Sequence, residues 1–281
     1  MIAILGGLGA ALCFGVSTLA SSRSARMIGA GSVVAWMMIV GLAVTIPGIA
    51  VTGVPSSLDT NAAGWLVVAG IGNVGGLLVV YAALRIERVG IVAPITSTEG
   101  AVAAVIAAAR GEAISTGIGI ALGVIPVGIM LASTKNEQGD RKHDFRGVLL
   151  AIVAAGIFGV GIYAAGRVST EVPLTWAVLP PRALGVLVIA LPLLATSRIR
   201  LTRRALPLVV LSGLTEVAGF ACLTLGARHG IAIAAVLASQ FAAVAAIGGY
   251  VLFKERLGRV QVAGVAVIVA GVAALTALQA A

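Results

Sequence analysis

The segment Lys135-Asn-Glu-Gln-Gly-Asp-Arg-Lys-His-Asp144 is a polar stretch that divides the chain into two halves. Five apolar stretches of about twenty residues precede it and five follow it, and a helix of that length crosses the ~30 Å hydrocarbon core of a bilayer. Because five is odd, the second half enters the membrane upside down relative to the first. The sequence therefore predicts an all-α integral membrane protein with ten transmembrane helices in two inverted five-helix repeats. The repeats cover 1–134 and 145–281, and 135–144 joins them.

The composition excludes a soluble domain. The chain is 60% hydrophobic and 10% charged, whereas charged residues make up about 25% of a soluble domain. The net charge of +9 comes from Lys and Arg in short loops, so we interpret it as a topology signal and expect no nucleic-acid partner. Cys13 and Cys222 lie in apolar stretches, where they are interpreted as small buried hydrophobic residues. With only His143 and His229 besides, we expect no metal and no cofactor.

Charged and turn residues limit each apolar stretch. The first stretch has the apolar core of a signal peptide but lacks its basic start, and the repeat needs it, so we interpret it as a spanning helix. The predicted spans are 2–21, 30–52, 62–84, 90–109, 114–132, 146–166, 172–195, 204–226, 230–252 and 259–278.

Three landmarks recur in the same order in both halves and indicate a duplication. The first landmark aligns Glu99 with Ser239, because each lies nine residues after the matched glycine. The pairs are Arg88-Val-Gly-Ile-Val-Ala with Arg228-His-Gly-Ile-Ala-Ile, Arg110-Gly-Glu112 with Lys254-Glu255, and Gly128 with Gly271.

The loops differ strongly in positive charge. Those that follow the odd-numbered helices hold fifteen Lys and Arg residues, and those that follow the even-numbered helices hold three. Since cytoplasmic loops carry the excess of Lys and Arg, we predict that both termini lie outside the cytoplasm.

The motif Tyr81-Ala-Ala-Leu84, followed by Val89-Gly-Ile-Val-Ala and Gly111-Glu112, resembles the signature of the drug/metabolite transporter superfamily, EamA branch. Residues 220–225 and Lys254-Glu255-Arg256-Leu257 repeat it in the second half. The resemblance covers the whole chain, and in size and architecture it extends to the YddG-type amino-acid exporters. It implies a basket of helices around a central cavity, alternating access and no covalent cofactor. It also implies that helices three, four, eight and nine line the cavity, and that helices five and ten pack together through Gly119, Gly123, Gly264 and Gly271.

Two features differ from the family pattern. The fourth helix of the family has a proline near its middle, where this chain has Glu99-Gly100 and places Pro94 earlier. Many relatives also keep their termini in the cytoplasm, against the loop charges found here.

Three ionisable residues, Glu99, Arg182 and Glu216, fall near the centre of predicted spans. A charge at that depth costs about 3 kcal/mol on insertion scales, so such residues face an interior or a water-filled cavity. Two interpretations remain open for them. They either contact a substrate or a proton, or Arg182 forms a structural ion pair with Glu216.

Further polar residues lie on the predicted cavity helices. Hydroxyls, amides and both signs of charge together suit a small zwitterion, whose carboxylate would meet Arg182 and whose ammonium would meet Glu99 or Glu216. Helix packing is the alternative role for the Ser and Thr residues. Pro180-Pro181 is expected to break helix seven. The remaining candidate substrate-binding residues are Asn73, Tyr81, Ser97, Thr98, Ser239, Gln240 and Trp36.

The sequence analysis thus favours a secondary transporter in the bacterial inner membrane that exports small metabolites, above all amino acids, including aromatic ones. Proton coupling through Glu99 or Glu216 stays open, as do export of drugs or other metabolites, and uptake. A membrane-embedded enzyme or scaffold is the distant alternative, but no catalytic residues cluster near one surface. The expected partners are a small-molecule substrate and the lipid bilayer, and the expected state is a monomer or weak dimer.

Overall fold

The computed structural model describes residues 1–86, 92, 95–133 and 145–253, together with ten residues between 259 and 278. Several sequence predictions fall outside the described residues. They are the polar segment 135–144, Arg88, Pro94, the Lys254-Glu255 landmark and the side chain of Tyr81.

The described chain is helical throughout, and no strand occurs in it. Its first half contains α1 Ile2–Ile28, α2 Ala30–Thr52, α3 Thr60–Ile86, α4 Glu99–Ala109 and α5 Thr116–Ser133. Its second half contains α6 Phe145–Val168, α7 from Leu174 to Ala195, α8 Leu206–Ala227, α9 Ile231–Ala238 and α10 Phe241–Phe253. The described residues between 259 and 278 are helical as well.

Six of these helices, α1, α2, α3, α6, α7 and α8, are long and apolar enough to cross a membrane. α2 coincides with its predicted span, and α1 extends seven residues beyond the predicted 2–21. The helices α4 and α9 are shorter than a bilayer crossing needs. Ten spanning helices therefore remain a prediction, and six are found in the described residues.

The irregular turn of helix α7 lies at a different position from the one that the sequence predicts. Pro180 and Pro181 have no N–H, so they break the hydrogen-bond ladder as expected, but the helix Leu174–Gly185 continues through them. The irregular turn comes later, as a π-helical turn over Val186–Ala190 in which the Leu191 amide donates to the Val186 carbonyl. Pro192 follows directly and has no N–H to continue the regular pattern.

The fourth predicted span of each half is interrupted at its centre. In the first half a turn at Ser97-Thr98 precedes α4, and in the second a turn at Ser239-Gln240 separates α9 from α10. The two interruptions contact each other, because the amide of Gly100 donates a 2.9 Å hydrogen bond to the Ser239 hydroxyl. The broken ends of both inner helices therefore meet in the middle of the protein.

Contacts between the halves come in matched pairs. The two most extensive helix interfaces are α1 with α8 and α3 with α6. In the first, a Cβ on Gly219 would lie 2.5 Å from the Phe14 ring, and in the second a Cβ on Gly76 would lie 2.6 Å from the Phe158 ring. A two-fold operation that exchanges the halves converts one contact into the other.

The same operation fixes the register of the inner helices. A Cβ on Gly15 would lie 2.5 Å from Val244, next to the Phe241 carbonyl, and a Cβ on Gly159 would lie 2.6 Å from Val102, next to the Glu99 carbonyl. Glu99 thus corresponds to Phe241, and Ser97 corresponds to Ser239. The predicted match of Glu99 with Ser239 is wrong by two positions, because it was anchored on a loop whose length differs between the halves.

The last helices of the two halves pack together as the resemblance implies. A Cβ on Gly271, one of the predicted glycines, would lie 2.8 Å from Ile125 of α5, and a Cβ on Gly117 of α5 would lie 3.2 Å from Leu278. Gly123 has no neighbour within 4 Å, and Gly119 meets only Ile114 at 3.8 Å, among the residues that the structure describes.

Candidate functional site

Arg182 is the centre of the candidate site. It lies on α7 and is completely buried, with 0% of its side chain exposed. Its aliphatic stem passes Gly41 of α2, where a Cβ would lie 3.2 Å from Cγ of Arg182. Its guanidinium lies over the Phe220 ring, with Cζ 4.4 Å from the ring centroid. Helices from both halves therefore hold one cation in place, and the missing side chain at Gly41 provides the space.

The guanidinium makes fewer hydrogen bonds than it has donors. Nη2 donates a 3.0 Å bond to the main-chain carbonyl of Glu216, while Nε and Nη1 are buried without a partner in the described part of the chain. An unpaired buried polar group costs about 1–3 kcal/mol, and more when it is charged. Nε and Nη1 lie on different edges of the planar guanidinium, so a carboxylate would bind one of them together with the second proton of Nη2. The guanidinium is therefore able to donate further hydrogen bonds to a bound anion.

The two carboxylates predicted for the site lie around Arg182. Glu216 and Glu99 are both partly buried. The Glu216 carboxylate interacts electrostatically with Arg182, with Glu99 and with the Ser17 hydroxyl. No described acidic side chain forms an ion pair with Arg182 within 4.0 Å. The structural ion pair with Glu216 that the sequence left open is therefore not formed in this conformation.

The interruptions of the inner helices bring four more predicted residues together. Ser97 and Ser239 are buried, at 0% and 1% exposure. The Thr98 hydroxyl donates to the Ile95 carbonyl at 2.7 Å, and the Ser239 hydroxyl donates to the Ala235 carbonyl at 3.1 Å. These bonds stabilise the turns, which is the packing role proposed for such hydroxyls. Gln240 is buried with Nε2 unpartnered among the described residues.

Two further predicted residues lie in different places. Asn73 is buried on α3 beside Gly161 of α6, and its Oδ1 lacks a partner within the described chain. Trp36 lies towards the start of α2, where its indole N–H donates to the Arg200 carbonyl at 3.1 Å. The structure does not bring Trp36 to Arg182, because the side chain anchors the loop between α7 and α8.

Sequence reasoning missed three residues of the site: Ser17, Gly41 and Phe220. One signal was available, because Phe220 follows Glu216 by four residues and so shares its face of α8. Gly41 carries no such signal, since the chain has 37 glycines and only the crossing of α2 with α7 distinguishes this one.

A cavity of about 380 Å³ lies apart from Arg182, at the turn between α4 and α5. Glu112 and His229 contribute its polar groups, and isoleucines line most of the rest. The Glu112 carboxylate accepts hydrogen bonds of 3.2 Å from the amides of Ile231 and Ala232. It thereby caps the start of α9, where the first amides have no partner in the helix.

The chain was also compared with known proteins. The model of the EamA-like transporter family matches residues 1–134 and matches again at residues 145–277. The chain belongs to the EamA-like transporter family. This confirms the resemblance to the drug/metabolite transporter superfamily, and the two matches fall on the two halves that the polar segment separates.

A similar solved structure, described only as a crystal structure of a protein, supports the fold of this EamA-family member. It aligns with a TM-score of 0.79 at 20% identity, over 98% of this chain and 96% of the other. No curated protein matches the chain. An EamA-family protein is a multi-pass membrane transporter of small molecules, so the substrate of this one depends on the residues of its own site.

Proposed function

We propose that this EamA-family protein is a secondary active transporter that exports small zwitterionic metabolites, above all amino acids, by alternating access. The observation that carries the proposal is the fully buried Arg182 guanidinium with two unpartnered donors. Burying a cation inside a membrane protein without a full set of hydrogen-bond partners costs free energy. Binding a carboxylate would repay that cost each time a substrate enters.

The carboxylates supply the other half of the ligand contact. Glu216 and Glu99 interact electrostatically with each other, and Glu216 does so with Arg182. An ammonium group that enters between the two glutamates would relieve the repulsion between them. The site therefore has a place for each charge of a zwitterion, while a simple anion or a simple cation would satisfy only one side.

Phe220 favours an apolar substituent near the carboxylate. Its ring holds the guanidinium face and packs edge-to-face against Phe14 of α1, with the ring centroids 5.6 Å apart. An amino acid with an apolar or aromatic side chain would bury that side chain against these rings.

Alternating access follows from the burial of the site and from the two-fold relation of the halves. Arg182 has no exposed surface in this conformation, so a substrate reaches it only if helices move apart. Two inverted repeats can exchange their arrangements and open the site first to one side and then to the other. The antiparallel crossings of α1 with α8 and of α3 with α6 support inverted repeats.

The proposal is tested with purified protein in liposomes. Counterflow of labelled neutral amino acids is compared with that of amines, dicarboxylates and a lipophilic drug cation. We expect counterflow of neutral amino acids that is lost in Arg182→Met and kept in Ser169→Ala. Ser169 is a matched control, since its Oγ is also buried and unpartnered but lies at the end of α6. Flux of only the drug cation, unaffected by Arg182→Met, would refute the proposal.

A further inference from the structure

Arg182 and Glu216 both belong to the second half, although the framework that surrounds them occurs in both halves. Arg182 passes Gly41, with a Cβ there 3.2 Å from the Arg182 Cγ, and Met38 passes Gly185, with a Cβ there 2.5 Å from the Met38 Cγ. The two contacts form a reciprocal pair across the crossing of α2 with α7. Met38 therefore holds the position in the first half that Arg182 holds in the second, and both side chains are 0% exposed.

The neighbours of Arg182 have counterparts in the same register. The register in which Gly76 matches Gly219 assigns Asn73 to Glu216 and Leu77 to Phe220. Asn73 lies beside Gly161 of α6, much as Glu216 lies beside Ser17 of α1. Met38 packs in one apolar cluster with Leu77, as Arg182 stacks on Phe220. We call Arg182, Glu216 and Phe220 the charged wall, and Met38, Asn73 and Leu77 the neutral wall.

The two walls differ in chemistry at each position. The thioether of Met38 corresponds to the cation, the amide of Asn73 to the carboxylate, and the aliphatic chain of Leu77 to the aromatic ring. The unpaired atoms differ as well, with two donors on Arg182 and one acceptor, Oδ1 of Asn73. Arg182 is also the only buried Lys or Arg in the described residues, so no second cation stands ready for a second carboxylate.

We propose that the neutral wall selects the substrate's side chain while the charged wall holds its single carboxylate. The substrate class is then neutral α-amino acids bound in one orientation, with Asn73 accepting a hydrogen bond from any donor on the side chain. Dicarboxylates are rejected because their second carboxylate would be buried without a partner. This inference rests on the proposed function and adds the residues that set specificity.

The first test measures binding to purified protein in detergent by the rise in unfolding temperature. The probes are leucine, phenylalanine, threonine and glutamine, the amide of each, and glutamate, all at millimolar concentration. We expect the wild type to be stabilised by neutral amino acids, and neither by their amides nor by glutamate. Glutamate binding as tight as that of glutamine would overturn the inference.

The second test changes the neutral wall. Asn73→Ala should lower the affinity for threonine and glutamine relative to leucine by about tenfold, the effect of one buried hydrogen bond. Met38→Leu and Leu77→Ala should alter the ratio of phenylalanine to leucine. All three should keep the discrimination against amides. Ser169→Ala should have the same ratios of affinity between these amino acids as the wild type.

The third test moves the cation. The double variant Arg182→Met with Met38→Arg should recover the discrimination against amides that Arg182→Met alone loses. If this double variant does not fold, the affinities of the Asn73→Ala variant for threonine and glutamine relative to leucine still test the inference. Unchanged side-chain ratios in all three neutral-wall variants would overturn the inference.

The outcomes separate the two proposals. A wild type that binds these ligands selectively but carries no flux in liposomes rejects the proposed function and leaves the inference standing. If neutral amino acids are transported but the neutral-wall variants keep the wild-type ratios of affinity between amino acids, only the inference is rejected. A wild type that binds none of the probes overturns both.

Discussion

Arg182 donates its 3.0 Å hydrogen bond to the main-chain carbonyl of Glu216, while the carboxylate of Glu216 interacts electrostatically with Arg182 and with the Ser17 hydroxyl. A main-chain acceptor cannot be protonated and does not move with a side chain. The contact therefore positions the guanidinium whatever the charge of Glu216.

Replacing Arg182 should separate transport from stability. Arg182→Lys keeps the charge but loses the planar fork, so we expect flux to fall about tenfold or more. Arg182→Met should abolish flux, yet its unfolding temperature should equal or exceed that of the wild type, because the unpaired buried cation is gone. Initial rates in liposomes and thermal unfolding measure the two effects. Strong destabilisation of Arg182→Met together with a fully active Arg182→Lys would indicate a structural arginine.

Transport should depend on the negative charges of Glu99 and Glu216. Glu99→Gln and Glu216→Gln keep the shape of each side chain and remove its charge, and we expect both to lower amino-acid flux wherever the wild-type carboxylate is ionised. Rates measured over a range of external pH decide this. A variant with full flux and a lost pH dependence would show that its glutamate carries protons, and would contradict a role in substrate binding.

Cys13 and Cys222 should form a disulfide that joins the two halves. The two thiols interact with each other across the interface of α1 with α8, and a Cβ on Gly9 would lie 3.2 Å from the Cys222 Sγ. Diamide would accept the two electrons and two protons that the thiols lose. With a protease site inserted in the segment 135–144, oxidised protein should run as one band after cleavage and separate into two on reduction. Cys13→Ser is the control, and two bands from oxidised wild type would contradict the contact.

Replacing each of two mid-helix glycines by alanine should change the stability of the protein in opposite directions. A Cβ on Gly72 would overlap the backbone of Gly161, whereas none is near Gly123 among the described residues. Gly72→Ala should therefore destabilise the protein by about 1–3 kcal/mol, the usual cost of overpacking. Gly123→Ala should be neutral or stabilising by up to ~1 kcal/mol, because alanine favours helix. Unfolding in detergent compares them, and equal effects would rule out the close crossing.

The orientation predicted from loop charge places both termini outside the cytoplasm. A reporter active only in the cytoplasm, fused after Ala281, should stay inactive, and a periplasmic reporter there should be active. The reverse result would favour the orientation of many relatives.

The sequence predicts the long helices well because apolar length and loop charge determine them. α2 Ala30–Thr52 was predicted to the residue, and Arg182 and Glu216 were singled out because charges are rare at mid-membrane. The register of the repeats was not predictable from motifs in loops, since loop length changes without cost to the core. It became visible only in pairs such as Phe14 with Gly219 and Phe158 with Gly76.

Other errors have the same origin. Pro180-Pro181 predicts an irregular backbone, but the helix continues through both prolines and the π turn lies at Val186–Ala190, directly before Pro192. Trp36 suited a cavity wall by its depth in the helix, but its indole binds the Arg200 carbonyl. A single chain does not reveal which face of a uniformly apolar helix meets which neighbour.

The bond from the Gly100 amide to the Ser239 hydroxyl has a consequence for how the protein is made. α4 and α9 are each too short to cross the bilayer, and residue 239 is synthesised long after residue 100. The Gly100 amide therefore lacks this acceptor until the second half has been made and inserted. The turn at the centre of the first half gains its hydrogen bond only when both halves are in the membrane, so this contact belongs to the last stage of assembly.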